Sequence, residues 1–97
     1  MRTYIALCKF TDQGIRSVKD TTQRADAVKE AAKKFGVNMA QIYWTSGRYD
    51  LVTIIEAPDE ASATAYALSI GAAGNVRTET LHAFSKDEMN AILGKMA

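Results

Sequence analysis

The sequence predicts an α+β fold in which four antiparallel strands carry two helices on one face. Three observations predict it: four segments rich in strand-forming residues, two helical stripes set between them, and breakers at the junctions. The 97 residues form one domain, 1–97, because halves of that chain would be too small to bury a stable core.

"TYIALCKF" (3–10) is the first strand. Both of its parities are largely apolar, with Ile5 and Leu7 on one side and Tyr4, Ala6, Cys8 and Phe10 on the other. Such a strand is expected to be covered on both faces. "GIRSVKDTTQRADAVKEAAKKFG" then takes helical spacing. Ile15 and Val18 suggest a short first turn, and Ala25, Val28, Ala32 and Phe35 a longer apolar stripe. Gly36 stands at the expected C-cap, after Lys33 and Lys34, which suit the negative end of the helix dipole.

"QIYWTSGRYDLVTII" supplies strands two and three, about 39–46 and 49–57. With Gly47-Arg48 as a two-residue type II′ loop, Trp44 faces Leu51, Tyr43 faces Val52 and Gln41 faces Ile54. One face then carries Ile42, Trp44, Tyr49, Leu51 and Ile55, which suits packing under helices. The other carries Gln41, Tyr43, Thr45, Asp50, Val52, Ile54 and Glu56, a mixture that suits an interface enclosing a small pocket. A longer loop would move residues between the faces.

Pro58 ends strand three, and Asp59 is a good N-cap for the Ala-rich helix "EASATAYALSIGAA". Gly71, Gly74 and Asn75 form its exit. "VRTETLHAF" is strand four; its polar positions mark an edge strand or one beside a wet cavity. Ser85 and Glu88 match a capping box, and Met89, Ile92, Leu93 and Met96 recur at i, i+3, i+4, i+7. A short amphipathic helix at about 85–96 follows, with one side to bury.

The order β-α-β-β-α-β with a terminal helix is the ferredoxin-like split βαβ. Helices cover one face of such a sheet and leave the other open. The open face here would be an apolar patch of several hundred Å², and a second copy laid sheet to sheet would cover it. The expected partner is therefore the chain itself, as a homodimer or higher homo-oligomer.

Net charge is +1, so no global field draws nucleic acid or anionic membrane. Apolar runs fall far short of the roughly 20 residues of a membrane helix. The N-terminus lacks the pattern of a signal peptide. A single cysteine, Cys8, permits no internal disulfide and suits a reducing cytoplasm. RNA-recognition motifs share this strand order but place stacking aromatics mid-strand; here strand three has only Tyr49, at its start. No nucleic-acid or membrane partner is expected.

"TYIALCKFTDQGIRSVKD", "IYWTSGRYDLVTIIEAPD" and "GNVRTETLHAFSKDE" together resemble the GYD-domain family. The namesake motif corresponds to Gly47-Arg48-Tyr49-Asp50. The resemblance covers nearly the whole chain, least clearly after Glu88. It implies a ferredoxin-like fold related to dimeric α+β-barrel proteins, and it implies no particular activity.

Chemistry-bearing residues are few. Asp50 is a candidate general base or polar anchor, or simply a hydrogen-bonding partner of its own turn or of the strand-four hydroxyls. His82, the only histidine, is the other candidate catalytic group. Tyr43, Asp50 and Arg77 are the candidate ligand-binding residues. Arg77 could pair with Asp50 or Glu56, or hold a ligand carboxylate. Tyr49 is expected to pack beneath the helices, and Cys8 to be a buried, inert thiol. Without a second His or a Cys cluster, no metal is expected. "GAAGNV" follows a helix, the wrong context for a dinucleotide loop, and no cofactor is expected. Three functions remain: a homo-oligomeric small-molecule-binding module, a cofactor-independent monooxygenase or isomerase of the dimeric-barrel kind, and a structural assembly protein.

Overall fold

The structure, a computed structural model, describes residues 1–96. Strands β1 (Arg2–Phe10), β2 (Asn38–Trp44), β3 (Leu51–Ala57) and β4 (Val76–Ala83) form one sheet in the order β2-β3-β1-β4. Every neighbouring pair is antiparallel. Helices α1 (Asp12–Arg16), α2 (Thr21–Ala32), α3 (Glu60–Ala73) and α4 (Lys86–Leu93) complete the chain. This is the ferredoxin-like α+β fold. β1 and β3 are central, and β4 is an edge strand as its polar pattern suggests.

The first helical segment is more broken than expected. α1 is separated from α2 by a 3₁₀ turn over Val18–Asp20, and a second 3₁₀ turn, Lys33–Phe35, leads to Gly36. Gly36 caps the segment at φ 71°, a left-handed conformation that glycine adopts without steric cost. α3 starts at Asp59, whose carboxylate accepts the Ser62 N–H at 2.7 Å. That bond holds the Asp59 carboxyl below its ordinary pKa.

The core lies between the sheet and the pair α2 and α3. Tyr4, Met39, Ile55 and Ala57 from the strands meet Ala32, Ala63 and Tyr66 from the helices. Val28 and Phe35 of the predicted stripe pack against that cluster. A second cluster, Ala6, Cys8 and Leu51, closes the other end.

The hairpin keeps the predicted register: Trp44 faces Leu51, Tyr43 faces Val52 and Gln41 faces Ile54. A bulge between Met39 and Gln41 breaks the alternation farther along. The turn itself differs from expectation, because the strands stop at Trp44 and resume at Leu51. Asp50 is the reason. Its N–H donates to the Cys8 carbonyl and its carboxylate accepts the Phe10 N–H, both at 2.8 Å, so it joins the end of β1. The Thr45 N–H still donates to the Asp50 carbonyl at 2.8 Å, and Thr45 Oγ1 donates to the Tyr49 carbonyl, closing the loop. Gly47 sits at φ 124°, so the glycine has the conformational task expected of it.

Tyr49 is displaced from its expected place. Its hydroxyl donates to Glu79 Oε2 at 2.8 Å, and Lys9 Nζ lies 5.5 Å from its ring centroid. Lys9 and Glu79 belong to the parity facing away from the helices, so Tyr49 serves the open side of the sheet. Widening the turn freed it from strict alternation.

α4 begins with the predicted capping box. Ser85 Oγ accepts the Glu88 N–H at 3.1 Å, and the Glu88 carboxylate accepts the Ser85 N–H at 2.8 Å. That contact holds the Glu88 carboxyl below its ordinary pKa. The side expected to be buried is not: Met89, Ile92 and Leu93 are exposed. No described helix is long and apolar enough to cross a membrane.

Candidate functional site

Strand parity separates two surfaces. Tyr4, Ala6 and Cys8 of β1 and Leu51, Thr53 and Ile55 of β3 point at the helices and are buried. Ile5, Leu7, Val52 and Ile54 point the other way and are half-buried. Their cross-strand pairs place Leu7 beside Val52 and Ile5 beside Ile54. Exposed Tyr43 extends this apolar surface across β2, and exposed Leu81 extends it across β4. At one end stands the polar group of Tyr49, Glu79, Lys9 and Arg48, whose guanidinium lies 5.9 Å from the Tyr49 ring.

On the helix side a cavity of about 90 Å³ lies between α2, α3 and the sheet, walled by Ala6, Val28, Leu51, Ile55 and Ile70 among others. Cys8 lines it, and burial pushes its thiol up to about 11. Burial likewise pushes the Tyr66 phenol up to about 12, with a smaller contribution from Cys8. Both groups are therefore neutral near pH 7, and the thiol is a poor nucleophile. Arg24, at the rim, is anchored by donating to the Ser17 and Gly14 carbonyls at 2.7 and 3.2 Å.

A third feature is a groove of about 660 Å³ between α3 and the edge strand β4. Ala63, Ala67 and Gly71 line its α3 wall, and Arg77, Thr80 and His82 its β4 wall. His82 stacks on Tyr4 with ring centroids 4.9 Å apart and lies tilted against Phe84 at 4.4 Å. His82 Nδ1 lies 4.0 Å from Glu60 Oε1. Tyr4 also lines this groove, and its buried hydroxyl has no hydrogen-bond partner among the described residues.

The four sequence candidates do not converge. Asp50 binds the Phe10 end of β1 whereas His82 lies opposite Tyr4, about 20 Å away at the rise of a strand. Tyr43 and Arg77 occupy opposite edge strands, about 14 Å apart across three strand spacings. Arg77 and His82 both touch the groove, but from opposite parities of β4: His82 pairs with Tyr4 on the helix side and Arg77 with Lys9 on the open side. Among the described residues neither Asp50 nor Glu56 pairs with Arg77; Glu56 instead accepts from Asn38 at 2.8 Å. Asp50 has its carboxylate engaged by the backbone. Among the described residues no group of three or more His, Cys, Asp or Glu side chains is placed to hold a metal.

Sequence reasoning passed over Tyr4, Glu60 and Arg24. Tyr4 read as one more apolar strand position, and only the fold reveals that its hydroxyl lacks a partner. Glu60 was a first-turn helix residue with no visible link to His82. The pairing arises because α3 runs antiparallel to β4 and brings its start beside the end of that strand.

The GYD-domain family model matches residues 4–93. The chain belongs to the GYD-domain family. Its match runs from Tyr4 in β1 to Leu93, the last residue of α4, so the terminal helix is part of the domain as the family defines it. This GYD domain is similar to a Thermus thermophilus protein named glutamine synthetase and cystathionine beta-lyase binding protein. The two are 33% identical over 94 residues, which cover 96% of this chain and 99% of that one. It is also similar to a protein of known crystal structure from the same bacterium. That likeness has a TM-score of 0.55 at 26% identity and covers 88% of this chain and 95% of the other.

Proposed function

We propose that this GYD domain, residues 1–97, is a protein-interaction module that acts as a homo-oligomer, two copies meeting through their open sheet faces. The observation that carries the reading is the apolar surface formed by Ile5, Leu7, Val52 and Ile54, with Tyr43 and Leu81 at its edges. A contiguous apolar patch on a small domain marks an interaction surface. The polar group of Tyr49, Glu79, Lys9 and Arg48 at its end would fix the register of the partner. The relative named for binding two enzymes supports a role in holding other proteins. The free, buried Cys8 suits a cytoplasmic setting.

Native mass spectrometry and light scattering on wild type and on Ile54→Lys test the assembly. The expected result is an oligomer that falls to half its mass or less in the variant, with an unchanged circular dichroism spectrum. A folded wild type that stays monomeric at 100 μM would overturn it. The protein-binding half is tested by thermophoresis against purified glutamine synthetase and cystathionine beta-lyase from the same organism, where failure of both to bind removes that support.

A second reading rests on the cavity between α2 and α3. Its apolar walls favour a small, uncharged organic molecule of few heavy atoms. Gentle native spectra would carry such a ligand as a fixed mass increment. The enzyme alternative draws least support, because neither Asp50 nor His82 lines that cavity.

A further inference from the structure

We infer that the groove between α3 and β4 receives α4 of a second copy, the two chains exchanging their terminal helices. α4 is a capped, formed helix whose Met89, Ile92 and Leu93 keep 45, 36 and 49% of their surface exposed. It packs hardly at all on its own chain. The molecule is correspondingly long, 51 Å on its major axis, with a radius of gyration of 14.6 Å where a compact chain of this size has about 12.5 Å. An apolar helical stripe held clear of its own domain is unfavourable unless another surface takes it.

The groove has the form such a helix needs. Ala63, Ala67 and Gly71 recur at four-residue spacing on α3, so small side chains make its floor and a second helix can approach closely. A methyl group added at Gly71 would meet nothing within 4 Å, so the space above it is open. Leu68, on the same helix, is 70% exposed. From Arg77 to His82 the groove wall runs about 17 Å along β4, and the 8 residues of α4 span about 12 Å as helix. Tyr4, whose buried hydroxyl has no partner among the described residues, lines the same groove.

Charge decides whose helix it is. Glu60 and His82 mark one end of the groove. The chain leaves β4 at that end. If α4 folded back into its own groove, Asp87 and Glu88 would lie beside Glu60 and join like charges. A helix from a second copy can enter in the opposite sense, with Lys95 at Glu60. That end is then complementary, and the incoming helix runs antiparallel to α3. The groove is on the helix side of the sheet, so this contact is separate from the open-face contact proposed above.

The test mixes two full-length chains, Leu68→Cys and isotope-labelled Ile92→Cys, under mild oxidation. The native Cys8 is buried, with its thiol pushed up to about 11, and stays out of the exchange. The expected product is a disulfide of mixed mass, at least tenfold above either like-with-like product. A Leu68→Cys/Ile92→Cys double variant should form intermolecular links. If it closes an internal disulfide in a monomer instead, α4 occupies its own groove and the inference fails. It fails equally if no link forms. Lys95→Glu in the labelled chain should cut the yield severalfold, and Glu60→Lys in the other chain should restore it; yields indifferent to both would overturn the proposed direction. Adding Ile54→Lys should leave the mixed disulfide intact, which separates failure of this contact from failure of the open-face one.

Discussion

Along β1, residues with nearly the same intrinsic character meet opposite fates. Tyr4, Ala6 and Cys8 keep only 3–5% of their surface, while Ile5 and Leu7, interleaved with them, are half-buried. β3 repeats the contrast with Leu51, Thr53 and Ile55 against Val52 and Ile54. Side-chain alternation sends each parity to its own face, and only one face has helices of this chain over it. What differs is the cover. The open face is therefore a measure of apolar area that the chain has not spent on its own folding.

Adjacent isoleucines put the contrast to its hardest test. Ile55→Ala removes a side chain that is 1% exposed and should lower unfolding free energy by about 4 kcal/mol. Ile54→Ala should cost the isolated domain under about 1 kcal/mol, and should instead shift the oligomer to lower mass. Urea titrations at low protein concentration check the pair. Equal losses would mean that the two faces are not functionally distinct.

Alkaline pH probes the covered face through its two buried titrating groups. Burial raises the Cys8 thiol from 9.0 to about 11 and the Tyr66 phenol from 10.0 to about 12. In the unfolded chain each group releases its proton first, so stability is full below pH 9 and falls as pH rises toward 11 and 12. Each titrating group contributes a slope of up to about 1.4 kcal/mol per pH unit. Urea midpoints between pH 8 and 11 should decline accordingly, and Cys8→Ala should flatten the first part of the decline.

The tyrosines separate the faces more finely. Tyr4→Phe deletes a buried hydroxyl without a partner and should stabilise by about 1 kcal/mol. Thermal melts would read a higher midpoint. Tyr49→Phe removes an exposed bond to Glu79 on the open side and should move stability by less than about 0.5 kcal/mol. Its effect should appear in the assembly constant, measured by analytical ultracentrifugation.

Much of the fold was legible because the relevant signals are local. The Asp59 cap, the Ser85–Glu88 capping box and the Gly36 terminator depend on residues a few positions apart. The pairing of Trp44 with Leu51 follows from counting outward from Gly47. The loop from 45 to 50 was not legible, because its shape depends on Asp50 bonding to Cys8 and Phe10. That contact joins residues forty positions apart, and no local propensity encodes it. Tyr49 changed face for the same reason. The candidate sites were the least legible part. Asp50, Tyr43, Arg77 and His82 stand out by chemical type, and only the strand order β2-β3-β1-β4 separates them and leaves Arg77 and His82 in one groove.

By itself the sequence determined the elements and their faces: alternation in the strands, stripes in the helices and a cap or breaker at each end. These rest on interactions within a few residues, which composition and spacing express directly. The tertiary structure alone decided which apolar parity the helices cover, that α4 stands off the domain with its stripe exposed, and that Glu60 meets His82. Those outcomes depend on how distant segments share space, and a linear pattern states what must be buried without stating against what.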